Sequence, residues 1–73
     1  MNITLLRQTW NVIETTNASE LLEAEETELV RQLVNRLDAK KPLADRERAV
    51  VNNYLHSKMG LIKDTAEARL VST

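Results

Sequence analysis

Histidine is the side chain best suited to moving protons near neutral pH, and this chain has one, His56. A catalytic histidine needs a nucleophile or a carboxylate held beside it. One turn away the sequence offers Asn52, Asn53 and Gly60, none of which serves, so His56 is read as an ordinary exposed residue. Cysteine is absent, which removes thiol nucleophiles, disulfides and zinc knuckles and suits a reducing cytoplasm. The glutamates from Glu20 to Glu28 form the densest acidic cluster. A calcium loop places carboxylates at alternating positions around a glycine, and a di-iron bundle needs Glu-x-x-His pairs. Both patterns are missing, and the cluster is read as the solvated start of a helix. No catalytic, metal-binding or cofactor-binding residue is expected, and no enzymatic activity.

The only aromatic side chains are Trp10 and Tyr54. Both fall on apolar arcs, so they are expected to anchor the core rather than to stack nucleic-acid bases. Arg46, Arg48, Lys58, Lys63 and Arg69 raise the question of a DNA-reading helix. A helix-turn-helix joins two short helices by a tight turn, whereas the apolar stripe here runs in phase through Gly60 and the cations are scattered around it. A nucleic-acid-associated regulator using Arg46, Arg48, Lys58 and Lys63 is therefore the alternative reading, behind protein–protein interaction.

A less usual pattern is the recurrence of Glu47, Lys58 and Arg69 at intervals of 11 residues, about three helical turns, within the apolar arc. Long charged side chains can snorkel to the edge of such an arc. The other reading is an antiparallel contact between two copies centred near Lys58, with Glu47 of one copy facing Arg69 of the other. The two Lys58 ammonium groups then meet at the centre, which opposes the contact unless they splay apart. On this reading the candidate interface is Glu47, Tyr54, Lys58, Leu61, Ile62, Thr65 and Arg69.

The elements that must position these residues are helices. The chain of 73 residues contains one Gly, one Pro and no Phe, and is rich in Leu, Ala, Glu, Arg and Lys. Its length allows one domain, residues 1–73. Apolar positions tested at 100° per residue predict an amphipathic helix over 3–16, capped by Asn2. A loose or short helical passage comes next, over 18–26, where Asn17 and Glu20 fit a capping box, and a firm helix is expected over 27–39. Lys40, Lys41 and Pro42 end it. The last apolar stripe stays in phase from Leu43 to Ala68, which predicts one helix over 45–70, bent or broken near Gly60. The expected fold is all-α: a three-helix bundle with two shorter helices packed on one long C-terminal helix. At 1.5 Å per residue that helix spans roughly 39 Å, more than either partner covers. A second copy is expected to cover the remainder, giving a homodimer, with another protein as a further possible partner. Ser72 and Thr73 are expected to fray together with Val71.

Charge is uneven: residues 1–28 carry Arg7 against six glutamates, a balance of −5, and residues 29–73 carry nine Lys/Arg against five acids, a balance of +4. The two halves are read as neutralising each other within the fold or across a dimer, with a basic surface for an acidic partner as the alternative. No apolar run exceeds three residues, so no membrane span is expected, and residues 1–7 lack the apolar run of a signal peptide. The segments Leu5-Leu6-Arg7-Gln8-Thr9-Trp10-Asn11-Val12-Ile13-Glu14 and Tyr54-Leu55-His56-Ser57-Lys58-Met59-Gly60-Leu61-Ile62-Lys63-Asp64 resemble small all-helical proteins of cyanobacteria. That group has no assigned activity, so the resemblance implies an origin and a helical fold and carries over no functional residue.

Overall fold

The computed structural model of the chain describes residues 2–71, in which five α-helices and no strand are found. Helix α1, Ile3–Thr15, begins where the Asn2 side chain accepts the Leu5 N–H at 2.8 Å. Its buried residues Leu5, Thr9, Val12 and Ile13 recur at helical spacing. The Thr9 hydroxyl enters the core without losing a partner, because it donates to the Leu5 carbonyl at 2.8 Å. Thr16 ends the helix in extended geometry; its buried hydroxyl donates to Val12 and accepts from Arg36 Nη1 at 2.9 Å.

The passage expected to be loose or a short helix contains a six-residue helix, α2, Ala18–Glu23. Asn17 caps it by accepting the Ser19 N–H at 2.8 Å, while Glu20 turns away from the expected capping box and meets Arg36 at 3.1 Å. A helix this short does not hold itself together. It is held by Leu21, which is fully buried, and by Lys63, whose ammonium donates to the carbonyls of Leu21 at 3.1 Å and Ala24 at 3.4 Å. Those carbonyls belong to the helix end, which has no donors of its own.

Helix α3, Glu26–Lys40, starts one residue before the expected position because the Glu25 carboxylate caps it through the Thr27 N–H. It is the central element, burying Leu29, Val30, Leu33, Val34 and Leu37. Each such side chain contributes about 1.5–3 kcal/mol of transfer free energy. Lys41, extended as a residue before proline must be, breaks the helix. Asp38 closes the connection, accepting the Leu43 N–H at 2.8 Å and pairing with Arg48 at 3.2 Å.

The helix expected over 45–70, bent or broken near Gly60, is found as two: α4, Asp45–Ser57, and α5, Met59–Val71. Ala44 is the N-cap of α4; lacking a side-chain acceptor, it relies on Glu47, which accepts the Ala44 N–H at 3.0 Å. The interruption falls at Lys58, two residues before Gly60. There the Lys58 N–H is shared between the carbonyls of Tyr54 and Leu55, and the Ser57 hydroxyl donates to the same Tyr54 carbonyl at 2.8 Å. A side chain entering the ladder is a recognised cause of bending. The ladder resumes at once, with the Ile62 N–H on the Lys58 carbonyl at 2.9 Å, so the phase of the apolar stripe is preserved.

The two halves have different supports. Helix α4 lies along α3, while α5 lies along α2. The change of support coincides with the break between α2 and α3 at Ala24–Glu25. Helix α1 runs antiparallel to α3, as the contacts of Thr16 with Arg36 and of Asn11 with Lys40 require. The expected picture of two shorter helices on one long one is thus corrected, since α2 is a separate support for α5. The prediction of surplus length changes too. The chain exposes 4755 Å², close to the about 4,600 Å² of a compact monomer of its mass. Ser72 and Thr73 lie outside the described residues.

Candidate functional site

Along α4 and α5 the residues Val51, Leu55, Met59, Ile62 and Ala66 face inward and are buried. A second row lies one residue earlier, and so about 100° around the helix: Val50, Tyr54, Lys58, Leu61 and Thr65. This row is left partly open, with Val50 38 % and Leu61 53 % exposed. Helix α1 runs beside it and adds Trp10, which is half-buried against the core. The Trp10 Nε1–H donates to the Tyr54 hydroxyl at 2.8 Å, and the rings meet edge to face with centroids 6.5 Å apart. Further along, α1 and α5 enclose a largely apolar groove of about 290 Å³ lined by Trp10, Ile13, Glu14, Thr65 and Arg69.

The expected interface residues divide between this face and other tasks. Tyr54, Lys58, Leu61 and Thr65 lie on it, with the Lys58 ammonium 6.0 Å from the Tyr54 ring centroid. Arg69 forms a wall of the groove and donates to the Glu14 carbonyl at 2.9 Å. Glu47 sits half-buried at the other end, where it caps α4. Ile62 is fully buried in the chain's own core, so it packs this fold rather than a partner. Its place in the broad apolar arc was visible in the sequence, but which part of the arc α2 covers was not.

Sequence reasoning did not find the contribution of α1. Only the pairing of the two aromatics hinted at it, since each lies on an apolar arc. It also missed the partner of His56, whose Nδ1 lies 2.9 Å from Glu26. That carboxylate is 30 residues away in the chain and beyond any search confined to one helical turn. Among the described residues no group of three or more His, Asp or Glu side chains is gathered so as to hold a metal ion.

Another groove, of about 420 Å³, runs between α3 and α4 and is rimmed by Arg31, Asn35, Arg48 and Asn52. Its guanidinium groups are already engaged. Arg31 reaches both Glu28 oxygens at 2.7 Å, and Arg48 pairs with Asp38. Hydrogen bonding from Arg31, with help from Gln32, holds the Glu28 carboxyl below the usual carboxylate range, and Arg31 is raised in turn. Of the cations considered for nucleic-acid binding, Arg48 is paired, Lys63 caps α2 and Lys58 lies by Tyr54.

Part of the uneven charge is balanced inside one fold: Glu20 with Arg36 and Glu28 with Arg31 each join the acidic first part to the remainder of the chain. No protein-family model, curated protein or solved structure matches the chain. The resemblance of its two segments to cyanobacterial proteins gains nothing from these comparisons. Among the described residues no helix is long and apolar enough to cross a membrane.

Proposed function

We propose that the protein is a non-enzymatic interaction module of the cytoplasm, which binds another polypeptide through the face shared by α1, α4 and α5. The observation that carries this reading is the open row of Val50, Tyr54 and Leu61 beside Trp10 and its groove. Single exposed apolar residues are ordinary, but a Trp–Tyr pair bordered by an exposed leucine and an apolar groove is the composition of a binding hot spot. The absence of cysteine suits a reducing compartment.

The test is affinity capture from a native extract at physiological salt, with the immobilised chain as bait. A specific partner should be retained by the natural sequence and by Gly60→Ala, whose added methyl meets nothing within 4 Å. The same partner should be lost from Leu61→Glu, which places a charge at the centre of the face. If Leu61→Glu retains everything the natural chain retains, this face is not the binding surface.

A further inference from the structure

Three backbone carbonyls at the end of α2 converge on a single point. Lys63 Nζ occupies it, donating to Leu21 at 3.1 Å, to Ala24 at 3.4 Å and to Leu22 at 3.5 Å. An ammonium has three N–H groups, so all of them are spent on backbone oxygens. Among the described residues Lys63 forms no ion pair, so its charge is answered by the negative end of the helix and by no carboxylate. Convergent carbonyls around a charge without a counter-ion are how protein backbones hold a compact monovalent cation. We infer that the end of α2 is a site for one such cation, with the Lys63 ammonium as its tethered occupant, and that α2 stays closed over α5 only while the site is filled.

Little else holds this helix in place. Six residues are too few to sustain a helix in water. Thr16 and Ala24 are both extended, so α2 is continuous with neither α1 nor α3. Its ion pair to another element, Glu20 with Arg36, lies about half in solvent, where such pairs contribute little. Burial of Leu21 favours closure. Against it stand the part-buried carbonyls, since leaving such groups without a donor costs free energy on the scale that burying one leucine gains. The cation therefore tips the balance. Once it is withdrawn, α2 opens while the longer α3 remains, and Ile62 and Ala66, both at zero exposure in the closed chain, are uncovered.

Amide hydrogen exchange of the full chain, read residue by residue by NMR at matched pH, is the test. The Leu21 and Ala24 amides are the reporters, since each donates within the turn of α2 at 3.1 Å. Lys63→Ala empties the site and should speed their exchange about tenfold or more, with α3 changing less. Lys63→Met keeps the apolar stem but not the charge, and should do the same. Ammonium chloride should return most of the protection to Lys63→Ala and leave the natural chain, whose site is filled, as it was. Tetramethylammonium chloride at the same concentration should return none, because that ion has no N–H and is too bulky for the cradle. If circular dichroism shows Lys63→Ala to be unfolded, the exchange and salt comparisons are read on Lys63→Met. Exchange left unchanged by either substitution overturns the inference. So does protection that Lys63→Met retains and Lys63→Ala loses, which would mean that the stem alone holds α2. An equal response to the two salts also overturns it, since that is screening and not occupancy. Lys63 takes no part in the face shared by α1, α4 and α5, so failure here leaves the proposed function standing.

Discussion

At the scale of single residues, this fold depends on long polar side chains that reach across sequence distance to close helix ends and connections. Lys63 supplies the donors that the end of α2 lacks, Asp38 closes the turn into α4, and Arg36 joins the Thr16 hydroxyl to Glu20. The Glu28–Arg31 pair is more local and makes a titration prediction. Its carboxyl is held low by the Arg31 hydrogen bonds. A carboxylate whose folded pKa is depressed adds stability above its unfolded pKa, and that contribution is lost as pH falls through the folded value. Both side chains lie largely in solvent, so the effect on stability is slight, and the titration itself is the measurement. In an NMR titration the Glu28 carboxyl should have a midpoint below the usual carboxylate range, and Arg31→Gln should return it there. A midpoint that Arg31→Gln leaves in place would assign the depression to another cause.

At the scale of elements, the interruption between α4 and α5 falls away from the local weak point. Glycine is the residue where a helix bends most easily, yet the interruption sits at Lys58, beside the Ser57 hydroxyl and at the change of support from α3 to α2. Gly60 is left inside α5 without a positive φ and with nothing within 4 Å of an added Cβ. Gly60→Ala should therefore stabilise the chain by about 0.5–1 kcal/mol, the conformational cost of glycine in a helix interior. For a domain of this size that is a rise of about 2–8 °C in Tm, read by thermal circular dichroism. A lower Tm would mean that the backbone at Gly60 needs the freedom of glycine.

At the scale of the whole molecule, the short α2 decides whether the chain completes its own core. Without it, the inward side of α5 around Ile62 and Ala66 would lie bare, and the overlong C-terminal segment would need a second copy to cover it. With it, both residues reach zero exposure within one chain. Leu21 is the anchor of that cover, itself fully buried. Leu21→Ala should cost about 2–5 kcal/mol, as large-to-small changes in well-packed cores do. Against a total of about 4–11 kcal/mol for a chain this long, the loss should appear as a marked fall in the urea midpoint with a single transition. An unchanged global midpoint, with faster amide exchange confined to α2, would show that α2 is an appendage and not part of the core.

The range of the forces involved sets how much of this was legible from the residues alone. Apolar periodicity at Leu5, Val12, Ile13 and at Leu29, Val30, Leu33, Val34, Leu37 marked α1 and α3, because burial on one face imposes a 3.6-residue repeat on the sequence itself. The break at Lys41-Pro42 was equally local, since it arises from a steric clash between neighbours. The residue types of the candidate face, Tyr54, Lys58, Leu61, Thr65 and Arg69, were likewise visible as one side of a helix. The sequence by itself thus determined the all-helical class, the main helices and the broad apolar arc that needed covering. Only the tertiary structure decided that α2 covers the Ile62 side of that arc, that α1 brings Trp10 to Tyr54, and that Glu26 meets His56. These contacts join residues far apart in the chain, and no local spacing encodes which of several compatible faces will meet.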